Sequence, residues 1–392
     1  MRNETKEALQ NAKEALSKVG EQLKHEAKDL ASGIKGQAQE ISAKVVAELR
    51  KKTDAGIMEC KNALKECKGN IEEAIEYLRK KGLSKAAKKA DRIAAEGVIA
   101  LKVADDFTKA TLVEVNSETD FVAKNEDFQD IVTKILDLAF QHSLDATESL
   151  TKLSINGEPF EDYLKQKIAI IGENIVIRRI ATITCKPNQL INGYLHHNKK
   201  VGAITLLSYE NSENVAQLHE FGKLLSMHIA SMKPKFLSYK ELDKEFVAKE
   251  RVAIVAELEK ENEELARLKK PLHRIPEFVS YSEITESVLQ AKKEELKDKL
   301  KKEGKPENIW DKIIPGQLER FIIDNTILDQ RLTLLAQLYA LDDKKTISQV
   351  IEEKSEALNN NISVVSFINF ELGEGIEKKV DNFAEEVAAQ MK

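Results

Sequence analysis

Asn116-Ser117-Glu118-Thr119-Asp120-Phe121-Val122-Ala123-Lys124-Asn125 lies between two runs of different periodicity. Ahead of it, Ala110-Thr111-Leu112-Val113-Glu114-Val115 reads as a strand. Behind it, Phe128-Gln129-Asp130-Ile131-Val132-Thr133-Lys134-Ile135-Leu136 reads as a helix. The polar residues stop the strand and leave one aromatic, Phe121, in the turn. On local chemistry alone this is a capped strand-to-helix connection. Ser117, Thr119 and Asp120 are good caps, and Phe121 could staple back onto the first helical turn.

Working outward, Val98–Val103 and Ala110–Val115 form a hairpin turning at Asp105-Asp106-Phe107, so the unit is hairpin, motif, helix. A related unit recurs. Ile191–His196 and Val201–Leu207 flank His197-Asn198-Lys199-Lys200, and a helix with Leu218, Leu224, Leu225 and Ile229 follows. Two such units predict an α+β core of two similar subdomains, over 97–185 and 186–372. Between them, Gly172 marks a helix–strand break within Ile168–Arg179. His196 and His197 are adjacent on a strand and so expected to point to opposite faces, with no acidic or thiol ligands at metal-binding spacing.

Met227–Pro234 reads as a core helix stopped by its proline. Tyr239–Leu268 and Glu283–Lys302 are long and highly charged, separated by Pro271 and Pro276, with Gly304 ending the second. They predict an antiparallel coiled-coil arm inserted at about 239–303, with the segment around Trp310 returning to the core. Val364–Leu372 closes the sheet as a strand. Residues 373–392 then form a C-terminal helical module, with Val380, Phe383, Ala384 and Val387 on one face.

On the amino-terminal side, 41–82 reads as three short amphipathic helices, a minimal bundle like a ubiquitin-associated domain. Its expected punctuation is a tight turn at Thr53-Asp54-Ala55-Gly56 with Gly56 free to take positive φ, a stop at Lys68-Gly69-Asn70, and a C-cap at Gly82. Cys60 and Cys67 read as small core-facing residues rather than metal ligands. Residues 83–96 form a basic, alanine-rich linker. Residues 1–40 are a Lys/Glu-rich helical extension in which Leu9, Leu16, Leu23 and Leu30 recur at heptad spacing, interrupted by Lys13, Gly20 and Glu26.

Composition narrows the function. The 392 residues are 42% hydrophobic and 32% charged, with 61 basic and 66 acidic side chains and a net charge of −5. A chain relying on phosphate contacts carries a basic surplus, so nucleic acid is not the expected partner. The basic stretch Lys85–Arg92 is the one local exception. Three cysteines without a CxxC pair predict a reducing compartment, and no apolar run is long enough to span a bilayer. With no apolar signal core or acid-poor transit segment, the cytoplasm is the expected location. There is no Gly-x-x-x-x-Gly-Lys-Ser/Thr loop, no dinucleotide fingerprint and no Ser/His/Asp or Cys/His constellation. Neither a bound cofactor nor a metal nor bond-making catalysis is expected.

The motif containing Thr119-Asp120-Phe121-Val122 resembles the central motif of the translation elongation factor Ts family. Leu49-Arg50-Lys51-Lys52-Thr53-Asp54-Ala55-Gly56-Ile57-Met58-Glu59-Cys60-Lys61-Asn62-Ala63-Leu64 resembles that family's amino-terminal signature, departing at Asp54, where glycine is more usual. Similar segments follow in the family's order around Ile171-Gly172, Tyr194–His196 and Met227–Pro234, so the resemblance runs from about Ile41 to the end. It implies a guanine nucleotide exchange factor that binds elongation factor Tu in its GDP-bound and nucleotide-free forms. GDP, GTP and Mg²⁺ are then held by the partner alone. It further implies that Thr119, Asp120, Phe121 and Val122 dislodge Mg²⁺ from the partner. Phe121 would be the wedge and Asp120 a charge-assisted contact, with Thr119 and Val122 holding the loop. Lys61, Ile171, Gly172 and His196, with the terminal helix, would supply further binding surface. The alternative is a non-catalytic helical adaptor or scaffold.

Overall fold

The computed structural model describes residues 20, 21, 24, 42–53 and 55–377. The heptad leucines, the 1–40 extension except for those three residues, Asp54 and the helix expected over 378–392 lie outside them. The chain forms two compact units. Among the described residues, one combines those up to Asp91 with Asp162–Gly172, and the other comprises Arg92–Glu161 with Glu173–Glu377.

In the first unit, α1 (Ala43–Thr53), α2 (Ile57–Glu66) and α3 (Ile71–Ala87) surround a core of Val46, Leu49, Cys60, Ala63, Leu64 and Ala74. Cys67 packs against that core from the C-cap of α2. The stop at Lys68-Gly69 is made by positive φ at both residues, with Gly69 N–H donating to the Leu64 carbonyl at 2.8 Å. Asn70 then caps α3 by accepting from Glu72 N–H and Glu73 N–H.

Two expectations fail here. Gly56 sits at φ −60°, because it is the extended N-cap of α2 and needs no left-handed geometry. Gly82 does not end α3, which continues to Ala87 with Ala86 buried; a methyl group at Gly82 would stand 3.5 Å from the Ala169 side chain.

The second unit is mixed α+β. It contains β1 (Glu96–Val103), β2 (Lys109–Ser117), the four-residue α4 (Asp120–Ala123) and α5 (Glu126–His142). After α6 (Phe160–Ile171), which crosses from this unit into the first, come β3 (Ile175–Thr184), β4 (Gln189–Leu195), β5 (Val201–Ser208) and α7 (Val215–Met232). The strands make two three-stranded antiparallel sheets, β1-β2-β3 and, with β6 (Ser363–Glu371), β6-β5-β4. In each sheet a hairpin supplies two strands and a later strand completes the other side of the hairpin's second strand.

Ile99, Ala110 and Leu112 of the first sheet share one core with Ile191, Ile204, Leu206 and Phe370 of the second. Gly202 lets the sheets approach, since a Cβ there would lie 2.9 Å from both Ile99 and Leu112. Helix α5 lies on β1 and β2, burying Phe128, Ile131, Val132 and Ile135. Leu218, Phe221, Leu225 and Ile229 of α7 cover the second sheet together with Ile347 and Ile351 of a helix over Ile347–Leu358.

The charged helices do not pair as expected. A short turn at Tyr239–Glu241 and an Asp243 cap precede α8 (Lys244–Arg267). Its Val247, Ile254 and Leu258 pack with Leu242, Val279 and Leu328. Leu296 and Leu300 of α9 (Glu286–Lys302) instead pack on Trp310, Ile313, Ile314 and Leu318 of α10 (Trp310–Asp324). The segment read as a return to the core is therefore the second helix of a hairpin. The apolar side chains of 310–324 decide this, because the charged surface of α8 offers α9 no continuous apolar seam. Among the described residues no helix is long and apolar enough to cross a membrane.

Candidate functional site

Strand β2 is the centre of its sheet, and its last residues, Asn116 and Ser117, are fully buried. At the level of the loop, β1 comes very close. Gly97 pairs with Asn116 at φ +131°, and a Cβ there would stand 2.2 Å from the Val115 carbonyl oxygen. The last ladder pair with β3 is Ser117–Ile175, after which the two chains part.

Side chains continue what the backbone stops. Glu173 accepts hydrogen bonds from Thr119 N–H at 3.0 Å and from the Thr119 hydroxyl at 2.7 Å. In return Glu118 accepts from Asn174 N–H at 2.7 Å, with Arg92 at 3.4 Å. The Ser117 hydroxyl donates to the Thr119 carbonyl at 2.9 Å.

Thr119 is extended at φ −125° and caps α4, its Oγ1 accepting from Val122 N–H at 3.4 Å. Asn125 caps α5, and Gln129 of α5 reaches back to donate to the Ala123 carbonyl at 2.6 Å. Both ends of α4 are thereby tied down. Phe121 is not folded back as a staple; it is 81% exposed. Val122 is half-buried and Ala123 buried. A rigid turn thus presents one apolar ring to solvent.

Asp120 pairs with Lys124 at 2.7 Å, and that hydrogen bond holds its carboxyl below the usual carboxylate range, with Lys200 adding to the effect. Beside it opens a hollow of about 410 Å³ lined by Glu96, Gly97, Asp120, Lys124, Gln129, His197 and Lys199 among others. Lys199 Nζ donates to Gln129 Oε1 at 2.6 Å, joining the turn after β4 to α5.

His196 closes that turn through its N–H to the Val201 carbonyl, and its Nδ1 lies 2.9 Å from the Tyr194 hydroxyl. The rings of His196 and His197 touch, with centroids 4.2 Å apart. Opposite faces were expected, but both lie beyond the end of β4, where the turn rotates the backbone and places Lys199 at positive φ. Thr119–Val122 and His196 therefore belong to one unit.

Lys61, Ile171 and Gly172 belong to the other. Lys61 is exposed on α2 and borders a hollow of about 390 Å³ with Val46, Arg50 and Ile57; the neighbouring Ile57 and Met58 are exposed. Gly172 ends α6 at φ +90°, and its carbonyl accepts from Lys89.

Sequence reasoning passed over Glu118 and Glu173. The available signal was two glutamates, each next to the point where paired strands part. Also unread was Glu114, fully buried at the centre of β2 and bound by Arg178, Arg179 and Gly373 N–H.

The sequence model of the family described as Elongation factor TS matches residues 118–275 and 273–374. The chain is 58% identical over 352 residues to the elongation factor Ts of Wolinella succinogenes, covering 90% of this chain and 99% of that one. It is 56% identical, with the same coverage, to that of Helicobacter hepaticus, and 54% identical to that of Helicobacter pylori strain J99.

Proposed function

The chain belongs to the elongation factor Ts family, and from that premise we propose how it works in translation elongation. It is a guanine nucleotide exchange factor for elongation factor Tu, binding the GDP form and promoting GDP release. The observation that carries the mechanism is Phe121, 81% exposed on a turn fixed at both ends.

In a P-loop GTPase, Mg²⁺ and the phosphate loop grip the nucleotide's β-phosphate. Phe121 enters the partner's packing near that site and displaces the side chains that support Mg²⁺. Thr119 and Val122 hold the turn while it does so, and Asp120 contributes a charge-assisted hydrogen bond that sets the approach. A pre-fixed wedge is effective because its ordering entropy is lost on folding rather than on binding. Linkage makes the effect reciprocal: the factor weakens GDP binding by as much as GDP weakens binding of the factor.

Lys61, Ile171, Gly172 and His196 supply further partner surface, which keeps the complex together after GDP leaves. GDP, GTP and Mg²⁺ belong to the partner, and this chain makes and breaks no bond. The bundle over 41–82 serves as a ubiquitin-associated-like docking module joined by the 83–96 linker. The regions 97–185 and 186–372 act as two related halves, with a helical insertion beginning near 239 in the second and a terminal module from 373. The site of action is the cytoplasm, where elongation takes place.

The test is release of fluorescent GDP from purified elongation factor Tu. Acceleration by the full chain supports exchange; binding without acceleration leaves the adaptor reading.

A further inference from the structure

Presenting Phe121 requires a fixed turn, yet residues 118–122 lie past the final ladder pair of β2 and β3. Two carboxylates take over there. Glu173, just before β3, accepts both the N–H and the hydroxyl of Thr119, at 3.0 and 2.7 Å. Glu118, just after β2, accepts Asn174 N–H at 2.7 Å. Each chain end reaches the backbone of the other, so the pairing extends one step beyond the sheet.

The Thr119 hydroxyl links this latch to the wedge. With its proton donated to Glu173, its oxygen accepts from Val122 N–H and starts the helix that carries Phe121. A hydrogen bond to an ionised carboxylate is shorter and stronger than one between neutral groups. Glu173 therefore fixes the orientation of the capping hydroxyl more firmly than water would.

We infer that Glu173 is a positioning residue for nucleotide exchange: through Thr119 it sets the direction in which Phe121 is presented. The inference rests on the exchange reading above. In the competing account Glu173 merely closes a helix–strand connection. Its loss would then lower stability, or weaken binding, without selectively lowering the maximal rate of exchange.

The test uses the full chain and elongation factor Tu loaded with fluorescent GDP, with release rates measured over a range of factor concentrations. Glu173→Ala is expected to lower the maximal release rate about tenfold, with the half-saturating concentration changed less than about threefold. The isosteric Thr119→Val, which removes the bridging hydroxyl, falls toward Glu173→Ala. Because the two residues act as one device, the double variant Thr119→Val/Glu173→Ala is no slower than the slower single variant. In the free chain, amide hydrogen exchange at residues 119–122 is faster in Glu173→Ala, while the core strands stay protected.

An unchanged maximal rate in Glu173→Ala, an effect confined to the half-saturating concentration, or fully multiplicative effects in the double variant would overturn the inference alone. A wild-type chain that fails to accelerate release overturns the exchange reading and this inference with it. The two failures are told apart by the wild-type measurement.

Discussion

Glu114 Oε2 and Arg179 Nε lie 2.5 Å apart although the Glu114 side chain is fully buried. Arg178 approaches the same carboxylate at 3.1 Å, and Gly373 N–H donates to it at 2.8 Å. Arg179 also reaches the Glu371 carbonyl at 2.7 Å and the Glu374 carboxylate at 3.1 Å. One carboxylate thereby ties the central strand of the first sheet to β3 and to the chain leaving β6.

Removing one partner from such a group leaves buried charge and donors uncompensated, which typically costs about 3 kcal/mol or more. Glu114→Ala is therefore expected to lower the unfolding free energy by about that amount, and Glu114→Gln by less. Urea unfolding monitored by circular dichroism checks this. A Glu114→Ala midpoint equal to wild type would show that the network contributes nothing.

Two glycines should respond with opposite signs. Gly97 needs both its positive φ and the missing Cβ, which would collide with β2 backbone at 2.2 Å. Gly97→Ala is expected to destabilise by several kcal/mol and to disturb the 119–122 turn beside it, on the order of the larger single-substitution effects. Gly82 lies inside α3, where an added methyl group meets only Ala169 at ordinary contact distance. Gly82→Ala is expected to be neutral or stabilising by up to about 1 kcal/mol. Thermal midpoints of both variants decide the matter, and a Gly82→Ala loss as large as that of Gly97→Ala would contradict the packing described.

Acid should weaken the fold before it reaches the carboxylate range. Burial pushes the pKa of His228 down, partly opposed by its hydrogen bond to Gln337. Burial likewise lowers His219, packed on Phe107 with ring centroids 3.8 Å apart. The backbone N–H of Ala340 donates to His228 Nδ1, so the neutral ring with its proton on Nε2 satisfies both partners.

Below the ordinary histidine value of about 6.5 the unfolded chain binds protons that the folded chain does not. Stability therefore falls as pH drops through 6.5 and levels off at the folded pKa values. Asp329, raised by burial, has the opposite sign: the folded chain gains its proton first, which favours folding as pH falls toward the carboxylate range. Unfolding midpoints should thus drop between pH 7.5 and 5.5, and His228→Gln should flatten part of that slope. A midpoint that rises over this interval would contradict the assignment.

The strand–turn–helix at 110–136 was legible because three signals agreed there: a short apolar run rich in β-branched residues, capping side chains and period-3.6 apolar residues. The exposure of Phe121 was not. Its local chemistry fits a staple equally well, and the ties that fix the turn include Glu173, 52 positions downstream of Phe121 and beyond the reach of any local pattern. Likewise α8 and α9 are each charged helices by sequence, and that α9 pairs with the segment around Trp310 rather than with α8 depends on where a few leucines and isoleucines meet. Gly82 looked like a stop because glycine disfavours helix, but tertiary packing outweighs a propensity of about 1 kcal/mol. The two histidines were misplaced by assuming the strand ran one residue further than it does.

Phe121 itself should contribute little to folding, since its ring is largely in water. Phe121→Ala is expected to leave the thermal midpoint within a few degrees of wild type, a surface effect of roughly 0.5 kcal/mol or less. That makes it the most direct probe of the proposed wedge. The measurement is GDP release from elongation factor Tu by wild type and Phe121→Ala, with binding to the nucleotide-free partner followed in parallel. The account predicts that wild type accelerates release, and that the variant folds and still binds but loses at least about tenfold in maximal rate. A Phe121→Ala chain that releases GDP as fast as wild type would contradict it.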